Sequence, residues 1–486
     1  MPLLSIATLL PLLAGLALML LPVRPARIVH GVSIAATGAT LLLTLAIRDR
    51  GIAPEGFAQL EEAAWIPVIG AAWRLGVDGL SLPLVLLTGL LFFLSAIYSA
   101  RIGDRPATYV VLMLMLESAS LGTFMALDGL LFYVFFEVSL VGMYFMIAGW
   151  GHEDRQRAAL MFFLYTLLGS LPLLLAIIGL HLASGTFDMR AWIGTPPLGG
   201  TAAMLALVAM LFTFAVKTPV FPFHTWLPAA HVQAPTAGSV ILAGVMLKFG
   251  TYGLVRLPFQ MLPDAFAAAA PVVLAFGAFS ALYGAFAALA QSDLKKMIAY
   301  TSVNHMGYVV IGVAVAALAA EPRIRTIALD GATLQMVSHG LVTGALFFLV
   351  GMLQDRAHSR AMGDFGGLLG RVPWLGWAFI LSAFASLGLP GLAHFPAEFQ
   401  IFLATFNARP WGAVALLGIV VTAALYLRAI AIVFLGPERG RGRGMPDLDR
   451  RERLVIGVLL VLIVLVGVMP GIVLDVIHRT MSGLAG

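Results

Sequence analysis

Two of the four lysines in this sequence lie inside long apolar segments, where an unpaired charge is costly. Lys217 lies deep in one segment and Lys248 near the middle of another, whereas nearly all of the 25 arginines fall between segments. Arginine keeps its proton in proteins, but a buried lysine can lose it. The choice of lysine predicts proton exchange inside a membrane; the alternative is that each lysine snorkels to the interface.

Two glutamates also lie at apolar positions. Glu137 follows Phe135-Phe136, and an isolated carboxylate there must be protonated or paired. We predict Lys217 as its partner, and separation of the two would let the lysine release a proton; the alternative is a static ion pair. Glu398 follows a helix break and could exchange protons with an aqueous half-channel, or could be a helix N-terminal carboxylate satisfied by free amides.

Two histidines complete the predicted set. His305 and His339 lie in neighbouring apolar segments, and imidazole titrates near neutral pH and can relay protons. With Lys248 they predict a central relay, although each alone could be a hydrogen-bonded core histidine. We predict no metal site, because no two of these residues have local ligand spacing. The roles of Glu117, His224, His231 and His394 stay open, and Arg428 is predicted to be paired or to snorkel. Asp128 and Asp293 are predicted helix caps.

The elements that must position these residues are long apolar helices. Hydrophobic residues make up 60% of the chain and charged residues 11%, whereas a soluble domain is about a quarter charged. Apolar runs of about twenty residues recur along the sequence, which predicts an all-α, multi-pass membrane protein with a single domain at 1–486. We predict fourteen transmembrane spans, near 3–21, 28–47, 80–100, 108–127, 129–150, 158–182, 202–222, 237–257, 267–290, 294–318, 325–352, 372–406, 412–436 and 453–474.

Two of the predicted spans should be broken. Pro219 and Pro222 follow Lys217 in span 7, and Leu389-Pro390-Gly391 interrupts span 12. Equivalent broken helices in two halves are typical of transporter repeats. We therefore predict two inverted five-helix repeats, spans 4–8 at 108–258 and spans 9–13 at 265–437, with spans 1–3 at 1–107 and span 14 at 452–486. The loop from Arg48 to Asp78 predicts a small hairpin.

The basic residues between the spans predict orientation. Seventeen fall in the odd-numbered loops and nine in the even-numbered loops, with Lys295 and Lys296 counted in the first set and Arg256 in the second. The side richer in lysine and arginine faces the cytoplasm. This bias predicts a bacterial inner-membrane protein with both termini in the periplasm.

The sequence holds no recognisable redox centre. It has no cysteine, which excludes iron–sulfur ligation within the chain, and no dinucleotide fingerprint or haem-ligand pattern. We therefore predict no bound cofactor, and driving energy must come from partner subunits. The net charge of +5 reports orientation, so the predicted partners are membrane subunits and lipid, with no nucleic acid.

Four segments carry a resemblance to a known family. They are 217–219 with 224–235, 292–302 with His305-Met306-Gly307, Ser338-His339-Gly340, and Gly76-Val77-Asp78-Gly79. Together they resemble the proton-conducting antiporter-like subunits of respiratory complex I, along nearly the whole chain. Within that family Glu398 favours one subunit type, since its sisters usually carry lysine there. The segment with His394 departs from the usual run before that glutamate.

The resemblance implies a role for each predicted site residue. Glu137 and Lys217 would be the coupled pair, with Glu398 as the terminal exchange residue. Lys248, His305 and His339 would form the relay. Redox chemistry in partner subunits would drive proton movement, making the chain a subunit of a translocase. Alternatives are a subunit of a Mrp-type Na⁺/H⁺ antiporter, of a membrane-bound hydrogenase complex, or an inert scaffold.

Overall fold

A bundle of long helices forms the fold. The computed structural model describes residues 2–20, 25–53, 56–438, 440–442 and 444–485. The helices are α1 (Leu3–Leu20), α2 (Ala26–Asp49), α3 (Ser81–Tyr98), α4 (Pro106–Met125), α5 (Gly129–Trp150), α6 (Arg155–Ser184), α7 (Met189–Gly194), α8 (Gly200–Lys217), α9 (Trp226–Gln233), α10 (Thr236–Ile241), α11 (Leu247–Leu254), α12 (Pro263–Leu289), α13 (Leu294–Leu318), α14 (Pro322–Ala357), α15 (Pro373–Ser386), α16 (His394–Ala408), α17 (Leu417–Val433), α18 (Arg450–Val468) and α19 (Gly471–Ala485).

Twelve helices among the described residues are long and apolar enough to cross a membrane. The bent pair α18 and α19, whose axes differ by 62°, gives a thirteenth if it is one span. α15 and α16 are each shorter, and together they occupy the predicted span 12. The polytopic helical fold is confirmed, while the count of fourteen and the two inverted repeats stay predictions.

Both predicted breaks are present. α8 ends at Lys217, five residues before the predicted end of span 7, because the prolines at 219 and 222 cannot continue it. Non-helical backbone then runs to α9. α15 ends at Ser386 and α16 begins at His394, with Gly388 and Gly391 in left-handed conformations between them (φ +78° and +88°).

The predicted span 8 is irregular without being interrupted. α10 and α11 are joined by a π-helical segment, Leu242–Met246, and a second one, Val255–Phe259, follows α11. Residues 237–258 of this stretch are all buried inside the molecule. Such π turns are often found at functional sites, and Lys248 lies between these two.

The predicted hairpin forms between α2 and α3. Strands β1 (Ala58–Ile66) and β2 (Ala71–Val77) pair antiparallel, with Gly70 in a left-handed conformation (φ +75°) at the turn. Glu61 of β1 accepts hydrogen bonds from the backbone amides of Leu4 and Ser5 at 2.7 and 2.8 Å. A carboxylate is favourable at a helix N-terminus, so this contact joins the hairpin to α1.

Two basic residues counted as loop residues are buried in helical segments. Arg256 is buried within the second π segment, and Lys295 is buried in the first turn of α13, where its Nζ donates to Ala234 O at 2.6 Å. If Lys295 is left out of the odd-numbered set and Arg256 out of the even-numbered set, the odd-numbered loops still hold the excess of basic residues. Three other counted residues lie outside the described ones: Arg24, Arg439 and Arg443. Asp128 and Asp293 cap α5 and α13 as predicted.

Candidate functional site

Lys248 and His339 are in direct contact at the centre of the bundle. Lys248 Nζ lies 2.7 Å from His339 Nδ1, and it also donates to the carbonyl of Ala243 at 2.5 Å. Both side chains are fully buried. The contact joins the fully buried predicted span 8 to α14, and it confirms that two of the predicted relay residues meet.

Paired glycines allow this contact. A Cβ at Gly340, beside His339, would come 3.0 Å from Gly244 O, and a Cβ at Gly244 would come 3.6 Å from Gly340 O. The two backbones approach closely because neither carries a side chain there. Ser338 Oγ donates to Ala393 O at 2.8 Å, which fixes α14 against the break before α16.

His305 contacts two residues on either side of the break in span 12, Ser386 and Glu398. Its Nε2 is 3.1 Å from Ser386 Oγ, and its Nδ1 is 3.3 Å from Glu398 Oε1. Glu398 Oε1 also accepts a hydrogen bond from Gln335 Nε2 at 3.2 Å. The structure therefore brings two further predicted residues, His305 and Glu398, together just after the break in span 12.

His394 was not in the predicted set, and the structure puts it beside His305 and Glu398. Its ring centroid is 4.4 Å from that of His305, and its Nδ1 is 3.8 Å from Glu398 Oε1. The rings of His305 and His339 have centroids 5.8 Å apart. Lys248, His339, His305, His394 and Glu398 thus form one continuous buried cluster, which we call the central cluster.

The cluster groups three candidate metal ligands that sequence spacing did not bring together, and the prediction of no metal site stays a prediction. His305, His394 and Glu398 place candidate ligand atoms within 4.8 Å of one another. His305 is far from the other two in sequence, which hid the grouping. The four-residue spacing of His394 and Glu398 places both on one face of α16, and it was a local signal that could have revealed part of it.

Glu137 and Lys217 approach each other without forming an ion pair. Their charges attract one another, yet among the described contacts Lys217 Nζ makes no hydrogen bond. The amine instead lies 4.6 Å from the centroid of the Phe136 ring, a cation–π contact. The predicted partnership therefore takes the form of a separated pair, with Glu137 Oε1 also buried and unbonded among the described residues.

A close backbone approach positions Lys217. A Cβ at Gly250 would come 2.5 Å from Thr218 N and 2.9 Å from the carbonyl carbon of Lys217. The end of α8 thus packs directly on α11, two residues from Lys248. This packing brings the separated pair next to the helix that carries the central cluster.

Sequence reasoning missed a buried ion pair between Asp78 and Arg256. Arg256 Nη2 donates to both carboxylate oxygens at 2.7 Å, and its Nε donates to Tyr252 Oη at 3.2 Å. Arg256 is 1% exposed and Asp78 2%. Asp78 directly precedes α3, so the pair joins the end of the hairpin to the second π segment.

A polar cavity of about 750 Å³ opens at the connections of the odd-numbered set. His152, Asp293 and Asp355 are among its lining residues. Burial and the charges of Lys295 and Arg360 lower the pKa of His152 to about 4. Lys295 follows Asp293 by two residues, and its charge acts on His152, so a third buried lysine lies close to this polar cavity.

Three open residues remain without hydrogen-bond partners in the part of the chain that the structure describes. Both carboxylate oxygens of Glu117 and both ring nitrogens of His224 and His231 are buried and unbonded there. His231 stacks on Phe347 with centroids 4.6 Å apart. Their roles stay open.

The chain is similar to proteins of known membrane complexes. Residues 126–425 match the family described as NADH:quinone oxidoreductase/Mrp antiporter, transmembrane. The sequence is 38% identical to NADH-quinone oxidoreductase subunit M of Rhodobacter capsulatus, over 99% of this chain and 96% of that protein. It is 37% identical to an NAD(P)H-quinone oxidoreductase chain 4 of Thermosynechococcus vestitus, over 100% of this chain and 92% of that protein.

Solved structures share the fold. A chain of respiratory complex I from Thermus thermophilus with bound NADH superposes with a TM-score of 0.88 at 33% identity, over the full length of both chains. A chain of the Mrp complex from Dietzia superposes with a TM-score of 0.87 at 23% identity, over 100% of this chain and 98% of that one. The second likeness shows a common fold alone.

Proposed function

The chain belongs to the NADH:quinone oxidoreductase/Mrp antiporter transmembrane family, and on this premise we propose that it is subunit M of a proton-pumping NADH-quinone oxidoreductase. Full-length similarity to proteins of that name supports the assignment. The family contains both redox-driven and antiporter complexes. The glutamate at position 398 favours the first, since the antiporter subunits tend to carry lysine there.

The contact between Lys248 and His339 is the observation that carries the proposal. A buried amine and a buried imidazole 2.7 Å apart share one proton more readily than they hold two. A proton arriving at Lys248 is therefore passed to His339, and from there to His305 and Glu398. The centroid separation of 5.8 Å between the histidine rings requires a water or a ring rotation for that transfer.

The separated pair provides the coupling. When Lys217 is protonated it repels a proton on nearby Lys248, and when Glu137 attracts Lys217 that repulsion weakens. A charge change in a neighbouring membrane subunit would shift this balance. The redox chemistry belongs to other subunits, consistent with a sequence that has no cysteine for cluster ligation.

We assign the protein to the bacterial inner membrane, with both termini in the periplasm, from the arginine and lysine bias of its loops. Large apolar side chains are exposed on several outer helices, such as Leu168 of α6 and Phe276 of α12. In a membrane such faces contact lipid or neighbouring subunits. We propose antiporter-like subunits on both sides as its direct partners.

Arginine in place of Lys248 tests the proposal in the assembled complex. Lys248→Arg keeps the positive charge but removes the ability to release the proton, so we expect fewer protons pumped per NADH oxidised in proteoliposomes. Lys296→Arg is the matched control, because Lys296 is exposed at the start of α13. Wild-type proton stoichiometry in an assembled Lys248→Arg complex would refute the proposed path.

A further inference from the structure

Three side chains of the central cluster have the composition and spacing of a zinc site. His305, His394 and Glu398 are all buried, and their candidate ligand atoms lie within 4.8 Å of one another. Two imidazoles and one carboxylate are a ligand set that Zn²⁺ takes, with a fourth position left open for water. Imidazole does not suit Mg²⁺ or Ca²⁺. We propose that the cluster binds one Zn²⁺ ion inside the membrane domain.

The distances fit an ion after small movements. Ligands of one tetrahedral Zn²⁺ stand roughly 3.3–3.5 Å apart, because Zn–N and Zn–O distances are about 2.0–2.2 Å. His305 Nδ1 and Glu398 Oε1 are 3.3 Å apart, and His394 Nδ1 and the same oxygen 3.8 Å. Although His305 Nδ1 is 3.3 Å from the carboxylate, the two atoms are not aligned for a hydrogen bond. Such an arrangement is expected of two ligand atoms that both point toward one metal position.

Two of the ligands are already oriented by a second layer of contacts. Ser386 Oγ contacts Nε2 of His305, which leaves Nδ1 for the ion. Gln335 Nε2 donates to Glu398 and fixes its carboxylate. Metal-binding imidazoles and carboxylates are usually held in this way, which sets the ring tautomer and raises ligand basicity.

The break before α16 offers an access path. A Cβ at Gly388 would come 2.7 Å from Glu398 Oε2, so the carboxylate faces the break directly. Leu389, the next residue, is 37% exposed. Irregular backbone at membrane depth is tolerated where it lines water or protein, so an ion can reach the carboxylate without crossing the packed core.

A bound ion would block the proposed proton path. It would occupy the nitrogen of His305 and the oxygen of Glu398 that would otherwise exchange protons, and its binding would displace protons from them. Inhibition of pumping by zinc therefore rests on the proposed function. Binding of zinc does not, so the two can be tested separately.

The first measurement is a density map of the intact wild-type complex equilibrated with zinc, compared with a chelator-treated sample. We expect difference density among His305, His394 and Glu398. Its absence at saturating zinc would overturn the proposal. This measurement requires no variant.

The second measurement counts zinc per complex by mass spectrometry during a buffered Zn²⁺ titration. His394→Gly should remove one bound zinc ion per complex. Ser386→Ala should keep that ion but weaken its affinity by about 10- to 100-fold. His181→Gln is the matched control, since His181 stacks on Phe187 outside the cluster. Equal zinc content and affinity in wild type and an assembled His394→Gly complex would also overturn the site.

Proton pumping under the same titration separates the two proposals. If zinc binds at the cluster and pumping is lost, the zinc site and the proton path are both supported. In that case zinc should not lower the pumping rate of His394→Gly below the rate of the same variant without zinc. Zinc bound at the cluster with unchanged pumping supports the site and contradicts a path through His305 and Glu398.

Discussion

Single residues differ here mainly in whether their buried charge has a fixed partner. Arg256 is held on both oxygens of Asp78, whereas Lys217 rests on the ring of Phe136 with no hydrogen bond among the described contacts. A buried charge with a strong partner is costly to unpair, and a charge without one remains available for exchange. Both types lie within a few helical turns of one another in this protein.

Removing either member of the separated pair should impair coupling. We expect Lys217→Ala and Glu137→Ala each to lower the number of protons pumped per NADH oxidised in reconstituted complex. The double variant should lose little beyond the more severe single variant, because both substitutions interrupt one interaction. Full stoichiometry in both single variants would exclude the pair from the mechanism.

Breaking the Asp78–Arg256 pair should affect stability more than transport chemistry. Asp78→Asn leaves a buried arginine without its counter-charge, at a cost of about 3–5 kcal/mol. We expect a lower thermal midpoint or failed assembly of the complex. The double variant Asp78→Asn with Arg256→Met should recover part of the loss, and a double variant less stable than both singles would contradict a purely structural pair.

Elements were predicted from sequence more reliably than the contacts between them. Apolar length predicted the helices, and proline predicted the ends of α8 and α15. The first π segment, Leu242–Met246, carries no comparable signal because its residues are as apolar as those of any span, whereas the second contains Pro258. Lys295 was counted with a loop, although it lies in the first turn of a helix that buries it, and sequence alone does not report which neighbours cover that turn.

The hairpin should respond to acid. Arg74 Nε donates to Glu62 at 2.6 Å, and this hydrogen bond lowers the pKa of Glu62 below its usual value. The contribution of this hydrogen bond to the stability of the hairpin is complete above the ordinary glutamate pKa. It is lost as the pH falls through the lowered pKa of Glu62. The protection of the β1 and β2 amides against hydrogen exchange, taken relative to the intrinsic exchange rate at each pH, should therefore fall at acidic pH, and Glu62→Gln should reduce that pH dependence. An unchanged profile in the variant would contradict this.

The central cluster as a whole could be predicted only in part. Of the six predicted residues, Glu137, Lys217 and Lys248 were chosen because charge in an apolar helix is rare. His305 and His339 were chosen because imidazole titrates near neutral pH, and Glu398 because it follows a break. Their order in space, and the arrival of His394 from the start of α16, depend on how α13, α14 and α16 pack. Sequence spacing does not report packing between helices, so the grouping became visible only in the structure.

Orientation belongs to the whole molecule. We expect both termini in the periplasm, so a phosphatase fused after Gly486 should be active and a fluorescent protein fused there dark. A fusion in the connection that carries Asp154, between α5 and α6, should behave in the opposite way. The reverse pattern would place the basic loops outside and invert the direction of transport.

The π turns on either side of Lys248 allow the helix between them to change its rotation about its own axis. A π turn holds one residue more than an α turn, and one residue corresponds to about 100° of rotation around the axis. If the turn at Leu242–Met246 moved past position 248, the lysine would swing away from His339 while both ends of the span stayed anchored. The stretch that carries Lys248 thus contains both the residue that contacts His339 and the π turn whose shift would separate them.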